Sequence, residues 1–472
     1  MNKKQVIKSI AFILIIAGIF VNLSNLLIPA WVTDTAPTLV QKNIDDQKEK
    51  TVDVAFIGSS QLSFGIFSMR MAEKWNIASI SCPTSNQPVL CSLFYIRELQ
   101  KKQDLKLVVF DVSMLYEPEE ESRYRQTLDS VPLSMNKLKT IIEHEQDGGT
   151  DSLLTYLMPI SMYHSRWSSL GKSDFTLDDN SFPIYKGNVV TSQYRDDMTF
   201  ETVQIETDEG EPDLEISENN MKYFDEIVNH CKDNNLELLL IKTPKGGWTD
   251  KKNAGVNELA SKYGLTFLDF NTAELLSALN LDFANDWKDW DHLNSRGAIK
   301  LSDYLGEYIS SQDYGLMDVR DDYYNYKNEL KDFNEDLEDA YLVSATGEDF
   351  LERMKSDRYE VIIQASANAG IYSEVINGYI SNLGVDSAVD VGEGTFYIHI
   401  KDGKINKKEY EAITYKADSG KKITFEVAQD QGENIKSIVY VGDNKVKFSS
   451  QCGIMVIDKN TGKIVCSREL VE

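Results

Sequence analysis

Basic residues are in short supply: 49 lysines and arginines face 75 aspartates and glutamates, a formal charge of −26 at neutral pH. Binding along a phosphate backbone needs clustered cations, and no basic stripe stands out, so nucleic acid is not expected as a partner. Cysteine is sparse as well. Five are scattered along the chain, an odd number without the paired close spacings of a zinc site or the framework of a disulfide-knit domain, so no metal is expected. The residues single out no cofactor either. Low-complexity tracts are missing, and with 42% hydrophobic and 26% charged residues the chain is neither disordered nor collagen-like. At 472 residues it exceeds what one ordinary core organises, so two domains with linkers are expected.

What is present begins with an apolar stretch. Lys3, Lys4 and Lys8 precede Ile10–Ile28, interrupted only by Asn22, Ser24 and Asn25. Closed by Trp31 as an interfacial anchor, it reaches the ~20 residues of a spanning helix. No small-x-small cleavage site follows, which favours retention; secretion after cleavage and a buried core helix are the alternatives. The lysines before it and Asp34, Asp45 and Asp46 after it predict a cytoplasmic tail over 1–8 and a transmembrane helix over 9–30. A polar tether over 31–50 follows, with the bulk of the chain outside the cell membrane.

Val52–Ile57 (VDVAFI) reads as a buried strand running into Gly58-Ser59-Ser60. Trp75–Ile80 is a second strand candidate. Leu105–Val112 (LKLVVFDV) is a continuous apolar strand of the parallel-sheet kind, followed by Leu236–Ile241 and Thr266–Phe270. Helical spacing marks Val89–Lys102, Met221–Asn234 and Asn253–Tyr263. This alternation predicts a doubly wound α/β domain with a parallel sheet over 51–312. In such sheets chemistry sits beyond the carboxyl ends of the strands. Ser60 lies there, and so must the loop carrying Asp286, Asp289 and His292 before a final helix over Ala298–Ile309. Nucleophilic acyl chemistry needs a hydroxyl, a base that titrates near neutrality and a carboxylate that orients it; Ser60, His292 and Asp289 are those types. Small residues after a strand also make plain turns, and Asp286 and Asp291 read as solvated loop charges or helix-entry anions.

Gly58-Ser59-Ser60 after the first strand, paired with Asp289-x-x-His292-Leu293-Asn294 before the last helix, resembles the SGNH/GDSL hydrolase superfamily. The likeness is nearest to its membrane-anchored branch, which holds the teichoic acid D-alanylation protein DltD and the alginate O-acetylation proteins. It implies Ser60 as nucleophile, His292 as base and Asp289 as orienting acid. The superfamily's G-x-N-D block has no counterpart here; the loop Ser81–Gln87 occupies its place. The implied oxyanion donors are therefore the backbone amides of Ser60 and Thr84, helped by Asn86. A weakened oxyanion hole would suit acyl transfer to a held acceptor more than fast hydrolysis.

Met158–Trp167 bunches Tyr163, His164, Arg166 and Trp167 beyond a proline. It resembles an insertion of the same branch, and His164, Arg166 and Trp167 would line a glycan groove or, alternatively, pack the insert onto its domain. Lys242-Thr243-Pro244 is a further rim or a turn. Residues 313–344, highly charged and tyrosine-rich, read as a solvated helical linker. Residues 345–472 follow as a smaller α+β domain. Its segments EDFLERM, YEVIIQASANAG, EVINGYISNLG and TFYIHIKDGKI resemble the interleukin-like EMT inducer domain, and Gly453–Gly462 resembles that family's first strand, displaced to the end as in a permuted copy. The resemblance implies a glycan-binding auxiliary; a generic spacer is the alternative. Cys452 and Cys466 flank a predicted hairpin and would face one another, as a disulfide or as free thiols.

The expected function is an extracytoplasmic serine esterase or O-acyltransferase acting on a cell-surface polysaccharide or teichoic-acid-like polymer. Transfer outside the cell would require a membrane acyl exporter as partner. A non-catalytic polymer-binding or assembly protein with the same fold is the alternative.

Overall fold

The computed structural model describes residues 3–29, 36–171, 174, 184–206, 215–320, 323, 325–365, 369–385, 388–409, 412–417, 420–427, 437–441, 444–448 and 451–470. Trp31 and Asp34, read above as anchor and outside charge, lie outside them. The chain divides into two compact units, Met1–Leu337 and Glu338–Glu472.

The first unit opens with helix α1 (Lys3–Leu26), of which Gln5–Leu26 is apolar and long enough to cross a membrane. The expected tether is largely helix instead: α2 covers Ala36–Asp46. Val40 and Ile44, one turn apart, are buried in the core of the α/β layer, and that packing folds a segment whose polar composition alone suggests a solvated linker.

Five parallel strands make the central sheet: β1 (Val54–Ser59), β2 (Ser79–Thr84), β3 (Leu107–Asp111), β4 (Glu237–Lys242) and β5 (Thr266–Asp269). They lie in the order β2-β1-β3-β4-β5. Between β1 and β2 run the short helices α3 (Ser60–Gly65) and α4 (Ser68–Trp75), and α5 (Val89–Gln100) leads to β3. Ala55, Ile57, Val108, Phe110, Leu238 and Leu240 face one layer, with α5 and α6 (Glu218–Asp233). Val54, Phe56, Leu107, Val109, Leu239 and Ile241 face the other, with α7 (Ser295–Ser311). Both faces are covered, which is why the strands read as unbroken apolar runs.

The second strand is misplaced by sequence reasoning. Trp75 ends α4, Asn76 takes the left-handed conformation (φ 57°) that stops the helix, and the strand begins at Ser79. Its polar sequence, Ser79-Ile80-Ser81-Cys82-Pro83-Thr84, is buried throughout, so a segment that reads as loop is a strand. The solvated linker also needs correction. Tyr323 and Phe333 are fully buried; the Tyr323 hydroxyl donates to the Ser79 carbonyl at 2.5 Å and Phe333 sits edge-on to Phe67 at 5.1 Å. Residues 313–337 therefore belong to the first unit, and α8 (Tyr326–Ser344) runs on past its boundary.

The second unit is α+β. An antiparallel sheet of β6 (Tyr359–Ala365), β7 (Phe396–Lys401), β8 (Lys404–Glu409), β13 (Cys452–Asp458) and β14 (Ile464–Glu469) has the order β8-β7-β6-β13-β14. Strands β9 (Ala412–Lys416), β10 (Lys422–Val427), β11 (Ser437–Val441) and β12 (Asn444–Phe448) form a second sheet. Late in the chain, β13 nevertheless lies inside the sheet, between β6 and β14. Asp458 Oδ1 accepts the amides of Asn460 and Thr461, closing the expected hairpin turn. Cys466 pairs with Val456, four residues along from Cys452. At ~3.4 Å per strand residue that offset is too long for a disulfide, and no disulfide joins them.

Candidate active site

β1 ends at Ser59 and Ser60 opens α3. A side chain at Gly58 would bring a Cβ within 2.7 Å of the Asp111 Cβ, so glycine lets the ends of β1 and β3 close together. The strand order reverses at this pair, and a crevice opens at such a switch point because the connections leave in opposite directions. Ser60 stands at its mouth.

His292 reaches the same place from the loop before α7. Asn294 caps that helix, accepting from the amides of Arg296 (2.9 Å) and Gly297 (3.4 Å). Its side-chain Nδ2 donates to the Asn285 carbonyl at 2.7 Å, so one residue ties both sides of the loop. Asp286 is buried rather than solvated: it pairs with Lys300 Nζ at 2.7 Å and accepts the Asp282 amide at 2.7 Å. It is a loop brace, since a buried carboxylate needs such partners. Asp291 stays at the surface, 3.2 Å from Lys245 Nζ.

Ser60 Oγ lies 2.9 Å from His292 Nε2, and His292 Nδ1 lies 2.8 Å from Asp289 Oδ1. The second carboxylate oxygen of Asp289 accepts from Lys288 Nζ at 2.6 Å. Burial pushes the Asp289 carboxyl up, but the hydrogen bonds from His292 and Lys288 outweigh it and hold the group well below the usual carboxylate range. An ionised Asp289 accepts from Nδ1–H, leaving Nε2 as the acceptor facing Ser60. Phe64, one turn beyond Ser60 in α3, sits edge-on to the imidazole at 5.1 Å.

The cleft over these groups has a volume of about 180 Å³ and is lined by Ser59, Ser60, Gln61, Asn86, Ser113, Met114, Glu117, Lys245, Asp291 and His292. Beneath it is a buried polar network. Gln61 Oε1 lies 2.9 Å from Ser113 Oγ, 3.2 Å from Lys242 Nζ and 2.5 Å from Thr243 Oγ1. An ammonium only donates, so Lys242 fixes the oxygen end of the Gln61 amide inward. Asp111 accepts the Ser113 amide at 2.8 Å and lies 3.2 Å from Thr243 Oγ1. Burial lowers Lys242 to about 8, against the opposing pull of Asp111 and Asp269.

No protein-family profile matches this chain, and no curated protein matches it. Among solved structures, a protein provisionally described as an acylhydrolase, from Bacteroides fragilis NCTC 9343, is similar at 13% identity with a TM-score of 0.27, over 58% of this chain and 94% of that one. A likeness that low decides nothing. The strand order and the side-chain geometry carry the reading.

The structure thus brings Ser60, His292 and Asn86 to one cleft, with Asp289 hydrogen-bonded to the far nitrogen of His292, but not the other expected residues. Thr84, expected to offer its backbone amide, is buried at the end of β2 and does not line the cleft; its hydroxyl lies 3.0 Å from Gln87 Oε1 and 3.3 Å from Thr127 Oγ1. His164, Arg166 and Trp167 do not line it either. Arg166 donates to the Leu27 carbonyl at 2.9 Å and pairs with Asp174 at 2.6 Å, which places this segment at the end of α1. Gln61, Ser113 and Lys245 went unread. Each follows a strand end, and that position is the signal that could have found them.

Proposed function

We propose that this chain is a serine esterase or O-acyltransferase of the SGNH/GDSL kind, moving a small acyl group on or off a cell-surface polymer. The observation behind the proposal is the hydrogen-bonded series Ser60–His292–Asp289 at the switch point of a parallel sheet. In the first step Ser60 Oγ attacks the ester carbonyl and its proton passes to His292 Nε2, while Asp289 stabilises the imidazolium. The tetrahedral oxyanion would be met by the Ser60 amide, Gln61 Nε2 and Asn86. The intermediate collapses with cleavage of the carbonyl–alkoxy bond, His292 returns the proton to the leaving alcohol, and an acyl-Ser60 remains. Water or a polymer hydroxyl then attacks it, losing its proton to His292 and restoring Ser60.

The cleft is smaller than the ~300 Å³ at which drug-sized pockets begin, which suits an acetyl-sized group with the acceptor lying on the rim. A polysaccharide or teichoic-acid-like polymer is the proposed acceptor, and a membrane acyl exporter the proposed source of acyl groups on the far side. The second unit is proposed as a glycan-binding auxiliary. Its buried His399 faces Glu360 at 3.0 Å inside the sheet rather than a nucleophile.

The test is the purified full chain in detergent, incubated with a fluorophosphonate probe and small acetyl esters and followed by intact mass. One adduct, lost in Ser60→Ala, supports the proposal. A correctly folded protein that takes no label would favour the non-catalytic, polymer-binding reading.

A further inference from the structure

The large apolar side chains of α1 from Val6 to Leu23 are exposed, whereas Ser24 and Leu27 are buried. The segment 158–168 meets the helix at that transition: the Ile160 amide donates to Ser24 Oγ at 2.9 Å, and Arg166 donates to the Leu27 carbonyl at 2.9 Å. The 22 residues Gln5–Leu26 are about 33 Å long at 1.5 Å per residue, against a hydrocarbon layer of ~30 Å. Contact with Ser24 and Leu27 therefore falls where the hydrocarbon ends.

Taken from Leu153 to Ser168, this stretch sets large apolar side chains outward while several of its polar groups are turned inward. Three of its polar side chains point inward: the Tyr156 hydroxyl donates to Glu121 at 2.8 Å, the Tyr163 hydroxyl to Asp129 at 2.9 Å, and Arg166 pairs with Asp174, whereas Ser161, His164, Ser165 and Ser168 are exposed. Its apolar ones point outward: Leu154, Leu157, Met162 and Trp167 are 63%, 40%, 43% and 48% exposed. Four large apolar side chains within fourteen residues, beside the end of an apolar helix, fit the depth at which tryptophan and leucine bury in lipid.

We propose that residues 153–168 form a foot seated in the headgroup–acyl boundary of the bilayer that α1 crosses, with lipid as its occupant. It rests on reading α1 as a membrane span. Two points of attachment then hold the first unit against the membrane instead of leaving it to swing on its helix. With a net charge of −26 the attachment is apolar, and salt leaves it unchanged.

The test uses the full chain in phosphatidylcholine nanodiscs, in a Cys466→Ser background, since the other four cysteines are buried. Nitroxide labels at Leu157→Cys and Met162→Cys are compared with Ile15→Cys inside α1 and with Tyr194→Cys on an exposed loop. The ratio of collisions with oxygen to collisions with a water-soluble nickel chelate should be several-fold higher at 157 and 162 than at 194, approaching that at 15. A ratio equal to that at 194, with 15 still lipid-like, places the foot in water and overturns the proposal alone. Protection from both reagents means a second copy covers the face and overturns it too. A water-like reading at 15 removes the span itself, and the foot with it. Quenching of Trp167 by brominated lipid, measured against Trp167→Phe, is the independent readout; its absence counts against the foot.

Discussion

Ser60 is half-buried with His292 as the partner of its hydroxyl, so removing the oxygen takes away chemistry without taking away packing. Ser60→Ala should lower ester turnover by at least ~10³-fold while the melting temperature moves by less than about 2 °C; a stability collapse would make Ser60 a structural turn residue. Asp289→Asn should cost ~10⁴-fold, because a neutral amide no longer selects the tautomer that leaves Nε2 free; steady-state kinetics on a small ester reads both. Lys242 is legible only in three dimensions. Its side chain is harmless in a strand sequence, yet burial takes it from an ordinary 10.5 to about 8. Between those values the unfolded chain holds the proton and the folded one does not, so stability from this group rises with pH across about 8 to 10.5. Below 8 the full burial penalty, about 3 kcal/mol, is present. Urea unfolding of Lys242→Met against the parent should therefore show a stabilisation near pH 7 that fades by pH 10. Turnover should show an alkaline decline near pH 8 that the variant lacks, since the ammonium orients Gln61.

At the scale of elements, the strands with unbroken apolar runs and the long amphipathic helices were readable because burial on two faces, or on one stripe, leaves a period in the sequence. Asp289 and His292 were readable as neighbours because they stand three positions apart in one loop, and Asn294 because caps are local. β2 was shifted and α2 was read as a tether because their stability comes from the sheet they join. Gly58 belongs to this scale. Gly58→Ala forces its Cβ against Asp111, and either β1 or β3 must give way at the cleft. The expected cost is 1–3 kcal/mol in urea unfolding, together with a fall in turnover larger than the stability loss explains. Unchanged kinetics would mean that the strand ends adjust without moving Ser60.

At the scale of the whole molecule, the division at 337/338 assigns Glu338 and Asp339 to the second unit. There Arg358 pairs with Glu338 at 2.7 Å, Asp339 at 3.0 Å and Asp458 at 2.8 Å, and the Tyr359 hydroxyl donates to Asp339 at 3.0 Å. Expressed alone, residues 338–472 should unfold in one cooperative transition. Starting at 345 instead should cost 1–3 kcal/mol, because Arg358 keeps its burial but loses two carboxylates; denaturant titration of both chains decides it. Residues 1–337 should turn over a small ester within about twofold of the full chain, because Ser60, Asp289 and His292 all lie in the first unit. Turnover on polymer should fall through KM.

The sequence by itself determined the alternation of strands and helices, the apolar N-terminal helix, the presence of a second module and the residue types able to form a nucleophile, a base and an orienting acid. Each of these leaves its mark within a few turns of chain. Only the tertiary structure decided that β1 and β3 part at Ser60, that Gln61, Ser113, Lys242 and Thr243 share one buried network, and that His164, Arg166 and Trp167 sit at the end of α1 instead of in the cleft. Those facts depend on which distant segments a fold brings into contact, and contacts between residues fifty or more positions apart have no period for a sequence to display.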